Sequence, residues 1–100
     1  MIQYTLKQLT YFTAAAERNS VTEAARVLNV SRPSVSTAIG HLEDVLGTQL
    51  FLRHHAHGLS MTPAGRRLPA KARSLLAHAE ELAADQWSEG EHLRGELQLG

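Results

Sequence analysis

Cysteine is absent from the 100 residues, which excludes disulfides and thiolate metal clusters and gives no reason to place the chain in an oxidising compartment. Long apolar runs are missing as well. None exceeds three residues, as in Ala14-Ala15-Ala16 and Leu50-Phe51-Leu52, and no basic segment leads into an apolar one near Met1. A spanning helix takes about 20 apolar residues in a row, and a secretory leader an apolar core of roughly 7–15. The sequence therefore reads as soluble and cytoplasmic, with no membrane partner. Also lacking are a glycine-rich phosphate loop, a nucleophile elbow and any metal-ligand spacing, and Ser, His and Asp occur without a local triad arrangement. No catalytic residue, cofactor or metal site is assigned in this segment, and an enzyme is disfavoured.

Net charge is zero, which on its face argues against a nucleic-acid partner, yet the charges are unevenly placed. Between residues 24 and 79 the basic residues are Arg26, Arg32, Arg53, Arg66, Arg67, Lys71 and Arg73, against only Glu43 and Asp44. The other acids crowd the two ends, with Glu80, Glu81, Asp85, Glu89, Glu91 and Glu96 in close order. A basic middle is the footprint of phosphate binding, although a solvated helix face produces the same pattern. With 43% apolar and 20% charged residues, the composition is that of one small globular domain. Its single modest core must be secured by packing or by a partner chain.

Spacing predicts the elements. Thr5 reads as the cap of a first helix whose apolar face is Leu6, Leu9, Phe12 and Ala16, ending at Arg18-Asn19. Ser20 or Thr22 caps a short second helix, in which Ala24, Ala25, Val27 and Leu28 admit a close neighbour; Asn29 ends it. Ser31 caps a third helix with Pro33 in its first turn, where Val35, Ile39, Leu42 and Leu46 step by four, three and four before Gly47. Leu50-Phe51-Leu52-Arg53 and Leu59-Ser60-Met61 flank a turn-like stretch, the signal of a two-stranded hairpin.

Thr62-Pro63 then opens a long helix. Leu68, Ala72, Leu75, Ala79 and Leu82 form a heptad-like seam on it, and the helix is expected to run to about Ser88, with a bend rather than a break at Pro69. A seam that long needs a facing surface, either the same helix of a second copy or the chain's own three helices. Beyond Gly90 the alternation in Glu96-Leu97-Gln98-Leu99 looks like the first strand of something further.

The stretch from Ser20 to Ile39 has the layout of a helix-turn-helix, a layout that helical hairpins of other purpose sometimes share. It presents Ser31, Arg32, Pro33, Ser34, Ser36 and Thr37 at the start of its second helix. That set is small, hydroxyl-rich and free of acids, and it carries one arginine. An arginine can pair with guanine O6 and N7, hydroxyls serve as donor or acceptor, and short side chains let DNA approach.

Taken with Leu42-Glu43, Leu46-Gly47, Leu50-Phe51, Arg53 and the run Leu59-Ser60-Met61-Thr62-Pro63-Ala64-Gly65, and with the opening Leu6-Lys7-Gln8-Leu9 and Tyr11-Phe12, the stretch strongly resembles the N-terminal domain of LysR-type transcriptional regulators. The resemblance implies a mainly α fold: a winged helix-turn-helix of three helices plus a two-stranded wing over residues 1–62, a linker and dimerisation helix over 63–89, and a hinge with the start of an effector-binding domain over 90–100. It implies double-stranded DNA with a roughly palindromic operator, a homodimer through the long helix, tetramers in a longer protein, and a small-molecule effector for the domain beyond. Pro33, Ser36 and Arg53 stand where the family usually has proline, serine and the arginine at the start of the wing. Arg32 replaces a usual glutamine, and Thr37-Ala38 an arginine–glutamine pair, so Arg32 and Thr37 are expected to read a different sequence.

The DNA-contact set expected from the sequence is thus Thr22, Ser31, Arg32, Pro33, Ser34, Ser36, Thr37, Arg53 and the wing histidines His54, His55 and His57. Those three histidines invite a metal site, but no acid or cysteine stands near and an extended segment points neighbours apart. Set against phosphates, they predict DNA affinity that rises from about pH 8 to about pH 6. His41 and His78 read as ordinary helix-surface residues. The competing reading is a winged helix that binds proteins and not DNA.

Overall fold

Each helix opens on a hydroxyl. The computed structural model describes residues 1–54, 58–85 and 87, with 53, 54 and 58 through their backbone alone. It contains α1 (Leu6–Arg18), α2 (Val21–Leu28), α3 (Arg32–Leu46), β1 (Phe51–His54), β2 (Gly58–Met61) and α4 (Pro63–Ala84). At α1 the Thr5 hydroxyl accepts the Gln8 N–H at 3.0 Å while the Gln8 side-chain oxygen accepts the Thr5 N–H at 3.0 Å, a reciprocal capping box. Ser20, not Thr22, caps α2; Ser31 caps α3 and Thr62 caps α4. Each accepts the N–H three residues on, a donor that a helix start leaves without an internal partner. Asn19 (φ 54°), Asn29 (φ 59°) and Gly47 (φ 70°) close α1, α2 and α3 in the left-handed conformation.

The apolar faces meet as the periodicity predicts. Leu9, Phe12 and Ala15 of α1, Ala24 and Ala25 of α2, and Val35, Ile39 and Leu42 of α3 are all buried. Leu50, Phe51, Leu59 and Ala72 extend this core under the hairpin and α4, with the Phe12 and Phe51 rings 5.5 Å apart. Each large side chain so buried contributes about 1.5–3 kcal/mol. Leu6, Val27 and Leu46, counted on the apolar faces from spacing, are exposed. Leu6 and Leu46 are the first residue of α1 and the last of α3, and Leu46 faces Leu68 and Lys71 of α4 across a cavity that leaves it open. Val27 lies off the Ala24–Ala25 face that α2 buries.

The hairpin pairs antiparallel with Phe51 opposite Met61 and Arg53 opposite Leu59. Strand alternation turns Phe51 and Leu59 inward and leaves Leu52 exposed. Helix α4 packs along α1 and runs unbroken through Pro69, which is itself buried. It stops at Ala84, four residues short of Ser88. Asp85 is extended (φ −67°, ψ 164°), and Gln86 and Ser88 lie outside the described residues. Among the described residues, no helix is long and apolar enough to cross a membrane.

Candidate nucleic-acid interface

Val35, Ile39 and Leu42, each at 0% exposure, fix which side of α3 faces inward. At about 100° per residue, Pro33 and Thr37 then lie on the outermost line, with Ser36 to one side and Ser34 and His41 to the other, while Arg32 lies nearer the inner line at the open start of the helix. Ser31, Arg32, Pro33, Ser34 and Thr37 are exposed and Ser36 is half-buried. The Ser31 hydroxyl is already engaged: it accepts the Ser34 N–H at 3.2 Å and lies 2.8 Å from the Ser34 hydroxyl. Arg32 is different. Whereas Arg26 pairs with Glu23 at 2.8 Å and Arg73 with Glu17 at 3.5 Å, no carboxylate meets Arg32 among the described residues.

The turn before α3 is held by backbone hydrogen bonds and by Leu28 and Val30 packed on the core. Asn29 donates to the Ala25 and Arg26 carbonyls, and Val30 donates to Ala25 at 3.0 Å. Ala24 and Ala25 are buried against α1 and α3, where a longer side chain would push α2 away. This sets Thr22, exposed in the first turn of α2, on the same motif as the α3 residues.

The hairpin is anchored at its root by a carboxylate of α3. Glu43, near the end of α3, accepts the Leu50 N–H at 2.8 Å and the Phe51 N–H at 3.3 Å through one carboxylate oxygen. From the other strand, Thr62 donates its hydroxyl to the Gln49 carbonyl at 2.7 Å and its N–H to Leu50 at 3.1 Å. The wing is thereby tied to α3 and α4 at once. Arg53 and His54 lie on β1, but their side chains, like all of His55 and His57, lie outside the described residues.

A second feature went unread in the sequence. Thr5, Lys7, Gln8 and Tyr11 of α1 and its cap face Pro33, Ser34, Thr37, Ala38 and His41 of α3 across an open groove. The Lys7 ammonium sits 5.7 Å from the centre of the Tyr11 ring. The signal was present in the i, i+4 spacing of Lys7 and Tyr11 and of Thr37 and His41, but only packing brings the two pairs together.

On α4 the expected seam divides. Leu68 and Ala72 pack on the chain's own core, Ala72 at 2% exposure, because α4 lies against α1 there. Leu75 and Leu82 are exposed and Ala79 is half-buried. Among the described residues, no group of three His, Asp or Glu side chains could hold a metal ion.

Comparison with known proteins agrees with this geometry. Residues 6–66 match the family model described as bacterial regulatory helix-turn-helix protein, lysR family. The chain is 41% identical over 95 residues to the HTH-type transcriptional regulator XapR of Escherichia coli, covering 95% of this chain and 32% of that protein. It spans less than a third of the length of the curated relatives it matches first. Among solved structures, the CbnR DNA-binding domain in complex with DNA is 35% identical, with a TM-score of 0.75 over 79% of this chain and 90% of that one. Corynebacterium glutamicum OxyR, in an H2O2-bound C206S form, is 39% identical, with a TM-score of 0.77 over 82% of this chain and 25% of that one.

Proposed function

The chain belongs to the lysR family of bacterial regulatory helix-turn-helix proteins, and from that premise we propose that it is the DNA-binding end of a cytoplasmic transcriptional regulator and not an enzyme. Helix α3 enters a major groove, and the wing lies on the neighbouring backbone or minor groove. The observation that carries this is the first turn of α3: exposed, free of acids, bearing an arginine with no ion pair among the described residues, and mounted on a fully buried inner face. Arg32 and Thr37 read base edges, while Thr22, Ser31, Arg53 and the wing histidines His54, His55 and His57 meet phosphates. Pro33, Ser34 and Ser36 keep the surface low enough for the groove to close on it.

The DNA-binding unit comprises residues 1–62, and residues 63–89 link it to a second copy through the exposed part of the seam, Leu75, Ala79 and Leu82. Two copies address a roughly palindromic site. Residues 90–100 lead into an effector-binding domain for a small molecule, and the longer protein forms tetramers.

The test is fluorescence anisotropy of this chain with duplex DNA from upstream of its own gene and with a scrambled duplex, over a salt series. Tighter binding to the upstream duplex, with log affinity falling linearly against log salt, is the expected result. Absence of binding at low salt would remove the reading.

A further inference from the structure

The groove between α1 and α3 is built from donors. Thr5, Lys7, Gln8, Tyr11, Ser34, Thr37 and His41 line it, and no carboxylate does. Lys7 brings three N–H donors and a positive charge, its ammonium stands over the Tyr11 ring, and no acid pairs with it among the described residues. The capping box consumes the Gln8 carbonyl oxygen on the Thr5 N–H, so what the Gln8 side chain still offers is its NH2 group. His41 and Thr37 stand one turn apart on the same side of α3, both exposed. Positive charge with convergent donors suits an oxyanion. The groove also shares Pro33, Ser34 and Thr37 with the expected base-reading surface, so it borders the place where DNA would lie.

We propose that this groove seats a backbone phosphodiester of the DNA strand beside the major groove that α3 occupies, with Lys7 supplying the charge and His41 a hydrogen-bond donor. The inference rests on the DNA-binding reading. It extends the interface to α1, where no contact was expected, and converts His41 from a surface histidine into part of the clamp. A phosphate seat carries no sequence information of its own, so its loss weakens cognate and unrelated DNA alike.

That property permits a test without the operator. Binding of a mixed-sequence duplex is followed by anisotropy between about 50 and 200 mM salt for the parent chain, Lys7→Gln, Lys7→Arg, His41→Leu and, as a charge-matched control, Arg18→Gln at the far end of α1. Circular dichroism confirms folding of each. Lys7→Gln is expected to bind more weakly with a salt slope shallower by about 0.9, the share of one phosphate. Lys7→Arg should keep the parent's slope, Arg18→Gln should leave it unchanged, and His41→Leu should weaken binding about 2- to 10-fold, the loss of one hydrogen bond. A folded Lys7→Gln with the parent's slope and affinity would overturn the seat while leaving DNA binding intact, as would an equal change in Arg18→Gln. A parent chain that does not bind removes both.

Discussion

Arg32 carries the sharpest residue-level expectation. If it pairs with a guanine edge, Arg32→Ala should cost about 1–3 kcal/mol on the cognate duplex and relax selectivity at one position. An equal loss on cognate and scrambled duplexes, measured by the same anisotropy titration, would make it a phosphate contact. Glu43 answers to a different measurement. Its carboxylate satisfies two N–H groups at the root of β1, so Glu43→Ala should lower the unfolding free energy in urea by about 1–3 kcal/mol. A variant of parental stability would show that water replaces the carboxylate. At Gly65 a Cβ would stand 2.1 Å from the Leu50 carbonyl oxygen, a backbone atom with no freedom to swing aside. Gly65→Ala should therefore cost at least the roughly 1–3 kcal/mol of an overpacked site. The helix caps Thr5, Ser31 and Thr62 were legible because a cap is satisfied three residues away. Glu43 was not, because its partners lie seven and eight residues on and meet it only after the chain has turned at Gly47.

At the scale of elements, α4 shows how far periodicity reaches. The seam from Leu68 to Leu82 was readable as a stripe, but spacing alone does not say which partner a stripe faces. Its first half lies on α1 and the core; in its second half Leu75 and Leu82 are exposed and Ala79 is half-buried. The two halves should respond differently to substitution. Leu75→Glu with Leu82→Glu should leave the circular dichroism spectrum intact and shift sedimentation velocity from dimer to monomer. Ala72→Glu should instead unfold the domain, since it would bury an unpaired charge. A double variant that stays dimeric would place the contact elsewhere. The hairpin was readable to within one residue from two short apolar runs, whereas its anchoring by Glu43 and Thr62 was not, because hairpin signals do not reveal what the outer strand edges meet.

For the whole molecule, the zero net charge conceals a division of labour. Arg26 and Arg73 are matched by Glu23 and Glu17 and serve to tie α2 internally and α4 to α1. Such exposed pairs contribute little stability, about 0–1 kcal/mol each. They leave Lys7 and Arg32 beside α3, together with Arg66, Arg67 and Lys71 on α4, as cations without a carboxylate among the described residues. Counting charges along the sequence found the basic middle but overvalued Arg26 and Arg73 and missed Lys7, which falls outside it. On the proposed function, this surface reads DNA through α3. Selection of binding sequences from a randomised duplex pool tests it most directly, with parent and Arg32→Ala compared side by side. The parent should enrich two related half-sites in inverted orientation, about one helical turn or a multiple of it apart, and Arg32→Ala should lose preference at one position of each. A folded parent that binds the pool yet enriches no sequence would contradict it.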